Sequence, residues 1–319
     1  MTFRLLPRLA APLLLVPASL GSAHAAQAAD APAYLALGDS LAFGVGAQNP
    51  AAEGYVPLTH EALLLNDRFA DSGLDLINIS EPGATSGDLL EEEGQLEQAL
   101  AEIETRRESP EDDSIEIISI DIGGNDLLSL AEPDSPCFED PGGAICRTTI
   151  NGVLGDMQSN LTTVLTSLRE AAPRAEVYVL DVYNPYAGTG ESLEVVAGIG
   201  VQLVNGVITA VASQDELETR LVGIHDLFEG RGQFWVAGDG IHPNNDGHRV
   251  LAEALTAHIE GRPIVLPADI ATPPPATPIP VENSGDDGLG MTAVMLIAVG
   301  AFLAGGFVSA SYFVVRGRS

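Results

Sequence analysis

Two short stretches, far apart in the chain, carry side chains suited to acyl-transfer chemistry. The first is Gly38-Asp39-Ser40-Leu41, directly after the apolar run 34–37. The second is Asp239-Gly240-Ile241-His242, directly before Pro243. A serine at the exit of a strand is a candidate nucleophile, but its hydroxyl is weak until a base takes its proton during attack. A neutral imidazole does this near pH 7. A carboxylate on the far ring nitrogen fixes the tautomer and stabilises the imidazolium that forms. Ser40, His242 and Asp239 are therefore the parts of a Ser-His-Asp triad. Alone, Gly-Asp-Ser is a common turn triplet and His-Pro a common helix start. The order and company of the two stretches carry the inference.

Such chemistry places negative charge on the former carbonyl oxygen, and donors must be aimed there. Two further stretches offer them. Gly83 lies in Asn78-Ile79-Ser80-Glu81-Pro82-Gly83-Ala84-Thr85, and Asn125 in Gly123-Gly124-Asn125-Asp126. A glycine suits the task because no side chain blocks its N–H. Asp39 is expected to brace the nucleophile's turn, and Asp126 to pair with a turn amide or an arginine. Asp121 sits inside an apolar run and needs a partner if buried. His225 and His248 can lie near the site but have no assigned role; His60 and His258 read as ordinary helix residues. No histidine cluster has metal-ligand spacing, and no H-E-x-x-H, P-loop or dinucleotide-binding glycine pattern is present. No metal or cofactor is expected.

A scaffold must bring these residues together. Apolar runs at 34–37, 74–79, 115–122, 177–182 and 221–224 are short, rich in Val, Ile and Leu, and end near Gly, Asp, Asn or Pro. Continuous rather than alternating hydrophobicity suits strands buried on both faces. Helical spacing separates them. Leu89, Leu90, Leu96, Leu100 and Ile103 form one stripe; Val153, Met157, Leu161, Val164 and Leu168 form another. Val195, Val196, Ile199, Leu203, Val207 and Val211 form a third, and Leu251, Leu255 and Ile259 follow the histidine. The alternation predicts an α/β domain with a parallel sheet of about five strands and helices on both faces. Ligands bind such sheets at the carboxyl ends of the strands. Ser40, Gly83 and Asn125 follow the first, second and third runs, so all three fall on one rim.

From residue 34 to about 259, these four stretches resemble the four blocks of the SGNH hydrolases, also called the GDSL lipase/esterase family. Pro243-Asn244-Asn245-Asp246-Gly247-His248 is similar to the family's segment after the histidine. The resemblance implies a three-layer α/β/α sandwich and an acyl-ester hydrolase that needs no cofactor. Ser40 is then the nucleophile, His242 the general base and Asp239 its orienting carboxylate. The oxyanion hole is formed by the N–H groups of Ser40 and Gly83 and the side-chain amide of Asn125. Pro82 departs from the family's usual small polar residue; it restricts Glu81 without removing the donor at Gly83.

Both ends read as membrane-handling segments. Residues 1–28 carry Arg4 and Arg8, a short apolar core and small residues suited to cleavage, as in a secretory signal. The domain is expected at 29–262, and 263–288 is a Pro-rich acidic linker. Residues 289–315 hold an uncharged apolar run long enough to cross a bilayer. Arg316 and Arg318 follow in a short tail, 316–319, which the positive-inside rule puts in the cytoplasm. Gly300, Ala301, Ala304, Gly305 and Gly306 are a weak signal for helix-mediated dimers.

The chain has 45 acidic residues against 14 basic ones and a net charge of −31. Every basic residue is arginine. This surface repels nucleic acids and anionic headgroups, so no nucleic-acid partner is expected. Cys137 and Cys146, close in sequence in an exported chain, favour a disulfide. The loop they pin, 132–147, is expected to wall the substrate pocket. The combined reading is a single-pass, membrane-anchored serine esterase or lipase whose catalytic domain faces outward, acting on a small-molecule or lipid ester. Two readings stay open beside it: a carbohydrate O-acetylesterase acting on surface glycans, and a surface binding module that keeps the fold without turnover.

Overall fold

The computed structural model describes residues 31–107, 114–130, 132–190 and 192–271. The expected signal segment, the apolar run 289–315, the tail and most of the linker lie outside the described residues. In chain order the elements are β1 (Ala33–Gly38), α1 (Ser40–Phe43), α2 (Pro50–Glu53), α3 (Tyr55–Leu64), β2 (Asp75–Asn78) and α4 (Gln95–Arg107). Then come β3 (Ile115–Asp121), α5 (Gly124–Ser129), α6 (Pro136–Glu139), α7 (Ala144–Ala171), β4 (Glu176–Leu180) and α8 (Ser192–Ala212). The described part ends with β5 (Thr219–Val222), α9 (His225–Phe228), α10 (Gly232–Trp235), α11 (Asn245–Glu260) and α12 (Ala268–Ala271).

The five strands make one parallel sheet in the order β2-β1-β3-β4-β5. Strands alternate their side chains between faces, so an apolar run must find a layer on each side. Leu35 and Leu37 of β1 pack with Ile118 and Ile120 of β3 under α4, α7 and α8. Tyr34 and Ala36 pack with Ile117, Tyr178 and Val222 under α3 and α11. The architecture is the three-layer α/β/α sandwich expected. The chain order reverses between β1 and β3, which opens a crevice at their carboxyl ends where such sheets bind ligands.

Three expectations need correction. β2 and β5 are edge strands and largely open, so continuous hydrophobicity reported full burial only for the three central strands. The stripe from Leu89 to Ile103 is broken: Asp88–Leu90 is a separate 3₁₀ turn, and α4 buries Gln95, Ala99 and Ile103. On α8 the buried face is Ala197, Val201, Val204, Ile208 and Val211, while Val195, Ile199 and Leu203 point outward. That helix is apolar on most of its circumference, so its period marks two candidate faces. Among the described residues it alone is long and apolar enough to cross a membrane, yet it packs one face onto the sheet layer.

Candidate active site

The turn that carries Ser40, the expected nucleophile, is built from the end of β1. Gly38 has φ +143°, and a Cβ there would lie 1.8 Å from Asp121 Oδ1, so only glycine fits. The buried Gln95 carboxamide brackets that glycine. It accepts Gly38 N–H at 2.8 Å and donates to Gly38 C=O at 2.8 Å. Asp39 caps α1 by accepting the Leu41 N–H at 2.9 Å. Asp39 N–H donates to Asp121 Oδ1 at 3.0 Å. Ser40 is thereby the first residue of α1, where a backbone N–H has no intrahelical acceptor.

The histidine arrives from the other end of the domain. An isolated antiparallel bridge joins Val236 to Pro243, and Ala237 N–H donates to His242 C=O at 2.7 Å. Asn244 caps α11 through Gly247 N–H and donates to Phe234 C=O. Tyr183 Oη donates to Ile241 C=O. Within this loop Asp239 Oδ1 accepts the N–H groups of Ile241 and His242, both at 3.0 Å. Its Oδ2 lies 2.7 Å from His242 Nδ1, and His242 Nε2 lies 2.9 Å from Ser40 Oγ.

A carboxylate only accepts, so Nδ1 carries the imidazole proton and Nε2 is free to accept from the serine. Burial pushes the Asp239 carboxyl up, but the hydrogen bonds from the His242 ring and the two backbone N–H groups outweigh it. The carboxyl is held at about 2 and stays ionised across the working range. The arrangement can deprotonate Ser40 during attack on a carbonyl and hold the proton on Nε2.

The residues expected to donate to an oxyanion share the same rim. Gly83 has φ +89° with open space where a side chain would stand, and its N–H has no partner among the described residues. Asn125, on the first turn of α5, donates from Nδ2 to Ala84 C=O at 2.9 Å and to Asp39 Oδ2 at 3.3 Å. Asn78 fixes the approach to Gly83, accepting from Ser80 and donating to Ala42 C=O. Ser40, Gly83, Asn125, Asp239 and His242 all line one cavity of about 410 Å³. Its other wall is apolar: Ile122, Leu127, Leu128, Val182, Tyr183 and Pro185.

The remaining sequence candidates are placed as follows. Asp126 takes Ser86 N–H at 2.8 Å and Ser86 Oγ–H at 2.5 Å, the turn-amide pairing expected. Asp121 is buried; Oδ1 is bonded and Oδ2 has no partner among the described residues, and burial with the nearby Asp39 charge raises it well above the usual range. Burial also lifts Asp39, to about 6, against its bond from Leu41. His248 is fully buried and accepts Tyr55 N–H at Nδ1 while Nε2 donates to Val45 C=O. It pins α11 to the loop beside the nucleophile. His225 sits after β5, outside the lining of this cavity. His60 bonds Leu74 C=O and His258 bonds Ala254 C=O, as helix residues do.

Cys137 and Cys146 are disulfide-bonded, yet the segment they pin is helical and supplies none of the cavity's described lining residues. Its expected role as a pocket wall is therefore withdrawn. Among the described residues no cluster could hold a metal ion. Sequence reasoning missed Gln95 and Tyr183. Tyr183 stands on the rim just past β4, where the strand-end rule could have found it. Gln95 gave no local signal.

A parallel three-layer fold with a serine, a histidine and backbone donors at its switch point defines a hydrolase of the esterase and lipase class. Residues 36–250 match the model of the GDSL-like lipase/acylhydrolase family, and the chain belongs to that family. It is 23% identical over 235 residues to the uncharacterized protein YpmR of Bacillus subtilis, covering 72% of this chain and 82% of that one. Among solved structures it resembles the lipase Lip_vut3 from a goat rumen metagenome. The TM-score is 0.54 and the identity 23%, over 71% of this chain and 96% of that chain. The acetylxylan esterase Axe2 of Geobacillus stearothermophilus aligns at TM-score 0.47 and 17% identity, over 72% and 96%.

Proposed function

We propose that the chain is a serine esterase or lipase that hydrolyses acyl esters through a covalent acyl-enzyme. The observation that carries this is the continuous contact from Ser40 Oγ to His242 Nε2 and from His242 Nδ1 to Asp239 Oδ2. Ser40 Oγ attacks the ester carbonyl as its proton passes to Nε2. The tetrahedral oxyanion is held by the N–H groups of Ser40 and Gly83 and the Asn125 amide. Collapse breaks the ester C–O bond, and Nε2–H protonates the departing alcohol. Water, deprotonated by the same nitrogen, then releases the acid and restores Ser40.

The apolar wall is where the acyl chain lies. That wall offers aliphatic side chains and no hydroxyl-binding groups at Ile122, Leu127, Leu128, Val182 and Pro185, which suits an acyl chain of several carbons better than a sugar ring and favours this reading over acetyl removal from glycans. The signal-like start, the Pro-rich linker and the run at 289–315 support display of the domain outside the cell on a single C-terminal anchor.

The test combines a fluorophosphonate probe with a p-nitrophenyl ester series from acetate to palmitate, beside acetylated xylan. Labelling that is lost in Ser40→Ala, with turnover peaking beyond acetate, is expected. Turnover confined to acetate and acetylated xylan makes it an O-acetylesterase. Neither labelling nor turnover makes it a binding module.

A further inference from the structure

Asp39 lies outside the proposed triad, yet it is buried beside the nucleophile and lines the catalytic cavity. Its two oxygens do different things. Oδ1 caps α1. A serine or asparagine would serve equally for that task. Oδ2 accepts from Asn125 Nδ2 at 3.3 Å, and the same nitrogen donates to Ala84 C=O at 2.9 Å. A primary amide nitrogen has two protons. Both are engaged at rest, one in an ordinary bond and one in a long bond.

Two acceptors set the orientation of that amide, Ala84 C=O and Asp39 Oδ2. The terminal torsion of asparagine is broad and roughly two-fold, so these partners, and not the side chain's own preference, decide which edge faces the nucleophile. An ionised carboxyl accepts and never donates, so only the nitrogen can face it. Asp39 itself has little freedom. Asp121 Oδ1 holds its N–H, and the Gln95 bracket holds the preceding glycine.

We propose that Asp39 is a positioning residue of the oxyanion hole. It holds the Asn125 amide with its N–H edge toward the nucleophile and releases the longer-bonded proton to the substrate oxygen as charge develops there. No covalent bond changes at either residue; one hydrogen bond is exchanged for a shorter one to the oxyanion. The proposal rests on the oxyanion role given above to Asn125. Burial that lifts Asp39 to about 6 still leaves it ionised above neutral pH, as the role requires.

The experiment is a double-mutant cycle on the intact chain, reading kcat and KM for a p-nitrophenyl ester above neutral pH, per titrated active site. Asp39→Ser keeps a cap for Leu41 but does not reach Asn125; Asp39→Asn opposes two N–H₂ groups or gives up the cap. Each is expected to lower kcat about tenfold or more with KM nearly unchanged, as for loss of a transition-state interaction. Asn125→Ala alone should cost about 10²–10³ in kcat. In the Asn125→Ala background neither Asp39 variant should cost anything further, because nothing remains to be positioned. If one Asp39 variant does not fold, the other completes the cycle. Losses that multiply across the two sites, or an Asp39→Ser enzyme as active as the parent, overturn the proposal. An Asn125→Ala enzyme with full activity overturns instead the oxyanion reading beneath it.

Discussion

His248 makes the domain's stability depend on pH in a way that one substitution isolates. Its imidazole is fully buried and neutral, accepting Tyr55 N–H and donating to Val45 C=O. Burial is the main reason its pKa falls from 6.5 to about 4; the bond to Val45 opposes this and the nearby His242 adds to it. A histidine depressed by folding binds fewer protons when folded than when unfolded. Its contribution is therefore complete above the unfolded value and is lost as pH falls through 6.5 toward 4. From those two values, moving from pH 7 to pH 5 removes about 2 kcal/mol.

Asp39 and Asp121 act in the opposite sense. Their carboxyls are raised by burial, so they cost stability at neutral pH and that cost is relieved in acid. They are common to the parent and to His248→Gln, so they cancel when the two are compared. The assay is urea unfolding of both proteins at pH 7 and pH 5, with the slope m checked for constancy. His248→Gln should be the less stable protein at pH 7, and the parent should lose about 2 kcal/mol more than the variant on going to pH 5. Equal losses would refute the buried neutral imidazole.

Other expectations follow from the same geometry. Ser40→Ala should abolish fluorophosphonate labelling and lower kcat by about 10⁴ or more, measured on the best p-nitrophenyl ester. Asp239→Asn keeps the shape of the loop but no longer fixes the His242 tautomer, so kcat should fall by about 10⁴ with KM little changed. Replacing Cys137 and Cys146 by alanine should cost about 3 kcal/mol through the short loop they close. It should leave the chain-length profile as it was, since that segment does not line the cavity. A shifted profile would restore it as a wall.

What could be read in advance was local. Ser40, Gly83 and Asn125 each follow a strand, and the identity of a turn is written in the few residues that make it. The spacing from Asp239 to His242 likewise carries its own geometry, because the carboxylate caps the same loop whose ring it touches. What escaped was the choice of distant partner. Gln95 brackets Gly38 across 57 residues, and His248 reaches Tyr55 across 193. Neither bond leaves a trace in composition or period. The outward face of α8 escaped for another reason: with Val195, Ile199 and Leu203 exposed, no polar side marks the helix's orientation.

The sheet order explains why residues 202 positions apart meet. Crossovers leave β1 and β3 on opposite sides of the switch point, so the serine turn and the asparagine turn flank one crevice, with β2 adding Gly83 alongside. The serine and asparagine turns are fixed by central strands, β1 and β3, and Gly83 by the edge strand paired to β1. His242 is not; it hangs on the Val236–Pro243 bridge, the Asn244 cap and the Tyr183 hydroxyl, all supplied by loops beyond β4. The two halves of the site should therefore fail separately. Tyr183→Phe leaves the Ile241 carbonyl unpaired, at a cost of about 1 kcal/mol, and loosens only the histidine's loop. Its effect should appear in kcat for acylation, while the apolar wall keeps the order of preference among acyl chains. A variant that instead changed that order with kcat intact would show that Tyr183 serves the acyl chain and not the histidine.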